Sequence, residues 1–383
     1  MTSGQHGTRR FLVMISYEID IGFAIGRLLG VFHDVCRRLT NDPRAVHFSF
    51  GKLGNRQCAN LPRGFDNLLE FDYRNFDADA VARLVKYIRQ HQITDLFALD
   101  MPVNMPFLVA ARRAGVRHVV AYWGAPMSSE SRGLRLLAKR LEVLLLRRHR
   151  PNLFVFESEA MRYLAVNGRG VPRSETAVVP TGVDSARFRP MPDSAGMVRE
   201  RFSIPDDRRI VCFMGHLHTR KGVHVLMRAA QILAAEGRSD IHTLFLGNRN
   251  GEERAFTEQV RGAERFVTFG GYQSDIPEML AGCYLGCVPS TGWDSFPMSS
   301  LEMQACGLPV MASDWQGVPE TVADGVSGVV TRAGDAQALA TAIRTLVDDE
   351  AGRDRLSAGA VQRIAAGFTR EHQIDNLVRR LAS

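Results

Sequence analysis

Short apolar runs alternate with longer stretches in which apolar positions recur every three or four residues, almost from end to end of the chain. The short runs predict strands at 11–17, 45–50, 95–100, 117–122 and 152–157, then at 209–214, 242–247, 265–269, 285–289, 308–312 and 327–330. The longer stretches predict helices at 23–40, 77–92, 103–114, 131–149 and 158–167, then at 221–236, 251–261, 275–282, 298–306, 317–323 and 335–349. Such alternation builds parallel sheets. A strand that returns in the same direction needs a crossover, and the crossover helices cover both faces. The remainder, 351–383, reads as helix with no further strand.

Between the two series lies Val179–Pro192, with three prolines and a glycine in fourteen residues, an extended connector. The expectation is an α/β protein of two Rossmann-like domains facing a central cleft. Residues 1–188 form the first domain, 189–367 the second, and the terminal helix 368–383 packs back on the first. A length of 383 residues and an apolar content of 45% suit two cores.

The net charge of +7 favours anionic partners without choosing among them. Zinc-finger spacing and aromatic RNA-binding motifs do not occur, so nucleic acid is not an expected partner. Phe11 to Ile15 is too short for a signal sequence and reads as a first strand. A cytoplasmic protein is expected. The six cysteines are scattered in apolar company and read as reduced core thiols.

Ligands of open parallel sheets bind beyond the carboxyl ends of strands, so chemistry is sought there. After strand 209–214 comes Gly215-His-Leu-His-Thr-Arg-Lys-Gly222, with His216, Arg220 and Lys221 beside a helix expected to begin near Lys221. Side-chain cations and free helix N–H groups together suit a diphosphate; an ordinary loop with solvated basic residues reads equally well. After strand 285–289, a polar loop holds Asp294, and a helix from about Met298 carries Glu302. Main-chain N–H groups from Phe296 to Ser299, Pro297 excepted, would crown that helix. Asp294 and Glu302 can accept paired hydroxyls, as sugars and riboses present them. Gly22 and Gly26 follow the first strand, where a backbone could approach a ligand or simply pack. Asp77-Ala-Asp79 has the spacing of a metal-binding acid pair but opens a helix, so it reads as a cap and no metal is expected. The helix 131–149 carries leucines and basic residues on different faces. It reads as a surface helix, with peripheral contact to the inner face of a membrane through 131–150 as the alternative.

Taken in order, these segments resemble the retaining glycosyltransferases of family 4, which have the GT-B fold. Val178-Val-Pro-Thr-Gly-Val-Asp184 is similar to the family's interdomain signature, and Gly215-His-Leu with Lys221-Gly222 to its donor-phosphate loop. Phe245-Leu-Gly-Asn248 and Phe269-Gly-Gly-Tyr272 are similar to its next strand ends, and Asp294 to Gly307 to its paired-acid motif. The likeness is dense over 176–330 and thin before it. It implies that Lys221 holds the donor diphosphate, Glu302 the ribose and Asp294 the transferred sugar, with main-chain N–H groups between Ser295 and Met298 nearby. The backbone at Tyr272 would meet the base, and Gly22 the phosphates. It further implies a hydroxyl acceptor, a UDP-sugar more than a GDP-sugar, and cell-surface polysaccharide or glycolipid assembly.

Three positions depart from the family. His216 stands in place of an arginine, with Arg220 near enough in sequence to compensate. Asp294 stands in place of a glutamate, so its shorter arm would shift the sugar. Trp123 stands, on the acceptor side, where a histidine is expected. The residues leave open an epimerase-like enzyme and a weakly active sugar-nucleotide-binding partner of another transferase.

Overall fold

A computed structural model describes residues 9–19, 23–54, 58, 60–127, 131–249 and 251–382. The chain divides into two compact units, one of residues 1–179 with 373–383, the other of 180–372.

In the first unit the order is β1 (Phe11–Glu18), α1 (Phe23–Thr40), β2 (Val46–Lys52), β3 (Leu68–Glu70), α2 (Ala78–His91), β4 (Asp95–Leu99), α3 (Phe107–Arg113), β5 (His118–Trp123), α4 (Gly133–Leu145), β6 (Leu153–Phe156), α5 (Glu159–Tyr163) and β7 (Thr176–Val178). The strands make one parallel sheet, ordered β3-β2-β1-β4-β5-β6-β7. Phe11 to Ile15 are all buried, because both faces of the sheet are covered. Their alternation sends Leu12 and Met14 into one core and Phe11, Val13 and Ile15 into the other. The Asp77 side chain accepts the Ala80 N–H at 2.7 Å and caps α2.

The second unit continues with α6 (Met197–Phe202), β8 (Arg209–Met214), α7 (Val223–Ala235), β9 (Ile241–Leu246), β10 (Val267–Phe269), α8 (Ile276–Ala281), β11 (Leu285–Val288), α9 (Met298–Ala305), β12 (Val310–Ser313), β13 (Gly328–Thr331), α10 (Ala336–Asp348) and α11 (Glu350–Gly367). Its sheet is also parallel, ordered β10-β9-β8-β11-β12-β13. Ile210 and Cys212 face one core, Val211 and Phe213 the other. Last comes α12 (Arg370–Ala382), whose Ile374, Leu377 and Leu381 bury in a core of the first unit.

The unit boundary falls at 179/180, nine residues before the sequence-based one. Phe188 buries in the core of the second unit, and Val183 bridges to Thr369 there, so the connector packs as part of that unit. Other expected elements also change. The segment 251–261 forms 3-10 turns at Glu252–Ala255 and Thr257–Val260, bounded by left-handed glycines at 251 and 262. Residues 317–323 give only the turn Pro319–Thr321. The helix expected from 103 begins after Pro106, a residue suited to a helix start. The terminal helix breaks in two between Gly367 and Arg370.

Five of the six cysteines are buried, Cys58 is half-buried, and all are free thiols. Among the described residues no helix is long and apolar enough to cross a membrane, and no group of three or more His, Cys, Asp or Glu side chains could hold a metal.

Candidate functional site

The order of the second sheet fixes where its chemistry gathers. From β8 the chain moves outward through β9 to β10, then returns to place β11 on the other side of β8. The loops after β8 and β11 therefore open side by side at the point where strand order reverses. Leu285, Gly286 and Cys287 pair in register with Val211, Cys212 and Phe213, which brings the two loops level.

The loop after β8 is tightly folded. Thr219–Lys221 form a 3-10 turn, and the His218 ring accepts the Arg220 N–H at 3.1 Å. Gly222 then turns left-handed, with φ of +70°, and α7 starts at Val223, so Lys221 precedes the helix instead of opening it. A Cβ on Gly222 would lie 1.7 Å from the Pro289 carbonyl oxygen, so only glycine lets the two loops approach this closely. Thr291 and Gly292 N–H groups both donate to the Arg220 carbonyl, at 2.9 and 2.8 Å.

Side chains complete the junction. Lys221 Nζ donates to Asp294 Oδ2 at 2.8 Å, and Ser290 Oγ donates to the same oxygen at 2.8 Å. The lysine side chain is 23% exposed and the aspartate 7%, so the pair sits half out of solvent, where its attraction is stronger than on an open surface. Arg220 lies over the Trp293 ring at 4.1 Å and donates to the Trp293 carbonyl at 3.0 Å. Gln316, in a left-handed backbone conformation, accepts the Asp294 N–H at 3.2 Å. Asp294 is thus held through both its carboxylate and its main chain.

Ser295 and Phe296 are buried behind it, and Phe296 stacks on Phe368 at 5.9 Å. The helix α9 opens at Pro297 with no side-chain cap, and Glu302, on its second turn, is 6% exposed. Helix N–H groups without a side-chain acceptor carry partial positive charge suited to an anion.

The remaining expected residues take other places. The His216 ring bonds Glu252 at 3.3 Å and is more than half exposed. Burial raises the Glu252 carboxyl, but N–H donors from Leu217 and Arg249 and the His216 ring outweigh it, leaving the group below its ordinary range. Tyr272 is exposed after Gly271 at the end of β10, where the Gly247 N–H reaches the Gly271 carbonyl at 2.8 Å. Met298 is half-buried at the start of α9. Gly22 lies outside the described residues.

Trp123 ends β5 in the first unit, half-buried. Near it, Asp100 holds a left-handed conformation and accepts the Gly124 N–H at 2.9 Å. Burial pushes the Asp100 carboxyl up, against the pull of that N–H and of Arg74.

Sequence reasoning missed Ser290, Trp293, Gln316 and Glu252. Only Trp293 carried a signal, as an aromatic beside a candidate acid in a strand-end loop; the other three act through contacts that strand order creates.

Two doubly wound parallel sheets in one chain make the GT-B fold, and the solved structures agree. HepE from Anabaena, in complex with UDP, superposes with a TM-score of 0.78 at 21% identity, covering 97% of this chain and 99% of that one. Its complex with UDP-glucose gives 0.76 over the same shares. WaaG, a glycosyltransferase involved in lipopolysaccharide biosynthesis, gives 0.71 at 16% identity, covering 96% and 98%. Residues 197–363 match the family model for glycosyl transferases group 1. D-inositol 3-phosphate glycosyltransferase 1 from Catenulispora acidiphila is 32% identical over 231 residues, 57% of this chain and 54% of that protein. The chain spans about half the length of the curated relatives it matches.

Proposed function

We propose that the chain is a retaining glycosyltransferase, of family 4 type, that moves a hexose-type sugar from a nucleoside-diphosphate sugar to a hydroxyl acceptor. A UDP-sugar is the proposed donor, consistent with the UDP and UDP-glucose held by HepE. The observation that carries this reading is the 2.8 Å pair of Lys221 with Asp294 at the rim where the second sheet reverses order. It puts a fixed cation, for phosphate, against a fixed acid, for sugar hydroxyls.

In the reaction the bond from the anomeric carbon to the diphosphate oxygen breaks, and negative charge grows on the nucleotide. Lys221, Arg220 and the open end of α9 stabilise that charge. Asp294 orients the sugar, and Glu302 holds the ribose. His216 and the loop at Tyr272 border the nucleotide, as does the backbone of Ser295 to Met298. The acceptor oxygen joins the anomeric carbon on the face the phosphate leaves, and its proton passes to the departing phosphate oxygen. Trp123 contributes on the acceptor side. Fixed donors of this kind are worth roughly 3 kcal/mol each in a transition state, enough to serve without a resident metal. Assembly of a cell-surface polysaccharide or glycolipid is the proposed setting.

The test is thermal melting against UDP-glucose, followed by turnover with a panel of hydroxyl acceptors. The donor should raise the melting temperature with chelator present. Turnover that chelator abolishes and magnesium restores would refute the metal-free mechanism, and an epimerised sugar formed without acceptor would refute the reaction class.

A further inference from the structure

Every exposed leucine among the described residues lies on one helix, α4. Leu134, Leu137, Leu141, Leu144 and Leu145 are between 45% and 84% exposed. Their spacing puts all five on one stripe of a 3.6-residue helix. The opposite side anchors the helix, with Val143 fully buried in a core of the first unit and Leu136 half-buried. α4 therefore has two apolar sides, and the chain covers one of them. A contiguous apolar stripe held in water is unfavourable and marks a contact surface.

Charge selects the kind of partner. Glu142 is the one acid between residues 131 and 150, and Arg169 pairs with it at 2.6 Å. Arg132 and Arg135 near the start of the helix, and Arg147 and Arg148 just past its end, are exposed and form no ion pair among the described residues. A second copy of this chain on the same face would bring those cations against their own kind. An anionic bilayer surface meets both requirements: the leucines enter the acyl boundary while the arginines stay among the headgroups. At thirteen residues the helix is about 20 Å long, too short to cross a bilayer and long enough to lie in its surface.

We propose that α4 is a docking face for an anionic lipid bilayer, with the five leucines as its apolar contact and the flanking arginines as its charge contact. The surface belongs to the first unit and acts independently of donor chemistry.

Co-sedimentation of the full chain with vesicles tests this. One set is phosphatidylcholine alone; the other contains about one-third phosphatidylglycerol. The protein should pellet with the anionic set, remain largely in the supernatant with the neutral set, and be released by high salt. Leu137→Gln combined with Leu141→Gln should weaken anionic-vesicle binding about tenfold or more. Melting temperature and the donor-induced melting shift should be unchanged, since both leucines are exposed. Three outcomes would overturn the proposal: no binding to either set; a double variant that binds like the parent; or a dimer by light scattering that the double variant converts to monomer, which assigns the face to a second copy.

Discussion

The two sheets share a plan and differ in what stands at their rims. Each is parallel, buried on both faces, and reverses strand order once, between β1 and β4 in the first unit and between β8 and β11 in the second. The second reversal gathers Arg220, Lys221 and Asp294. At the first, Asp100 is half-buried, with its carboxyl pushed up by desolvation. Tyr73, whose hydroxyl bonds the Leu99 carbonyl, is buried there with its phenol pushed up, and on the neighbouring strand Tyr122 is too. One architecture supplies two environments: a charged, half-solvated rim suited to an anion, and a desolvated, phenol-rich rim that favours neutral groups. The difference lies in a few loop residues, while the strands beneath serve only to place them.

Substitution at the charged rim should break this contrast most severely. Lys221→Ala should lower kcat about 10²- to 10³-fold, measured as UDP release with saturating acceptor, and remove the donor-induced melting shift. Asp100→Asn on the first rim should leave that melting shift in place. Loss of the shift in both variants would erase the distinction.

Next in size is a backbone effect. Gly222→Ala introduces a left-handed alanine whose Cβ meets the Pro289 carbonyl, so the second unit should lose about 3 kcal/mol of unfolding free energy by urea titration. The transition of the first unit should not move.

Acid should weaken both units alike. His47 on β2 and His242 on β9 are each lowered from 6.5 to about 4, first by burial and then by nearby positive charge. His242 accepts from Arg208 at 3.1 Å on Nδ1, which requires the neutral ring. The unfolded chain therefore takes up these protons first as pH falls. Stability is complete above about pH 6.5 and declines toward about pH 4, by at most about 2 kcal/mol per histidine at about pH 5. Urea midpoints across that range should show the slope, and His242→Gln should flatten it in the second unit alone.

Much of this organisation was readable from apolar spacing. The five-residue run at Phe11–Ile15 and the run at Ile210–Phe213 are buried on both sides, so continuous apolar character marked them clearly as strands. β3 and β7, of three residues each, were not visible. The turn before α7 was misread as helix: Lys221 has helical neighbours in sequence, but the left-handed Gly222 separates it from them. At the site, Lys221 and Asp294 were each legible as chemistry beside a strand end. Their direct bond was not, since it joins residues 73 apart through the order of β8 and β11. Ser290 and Gln316 were invisible for the same reason: a serine and a glutamine mean little until a carboxylate and its amide lie within reach.

The counter-ion of Lys221 also bears on how tightly a donor can be held. A diphosphate reaching this lysine, as proposed, would find an ammonium already aimed and partly stripped of water, yet paired with a carboxylate that is part of the protein. Association is then a change of partners, and the measured affinity is the difference between two attractions. Under the proposed reaction, much of the lysine's charge would go into its readiness, and ground-state binding would stay loose enough for the nucleotide to depart.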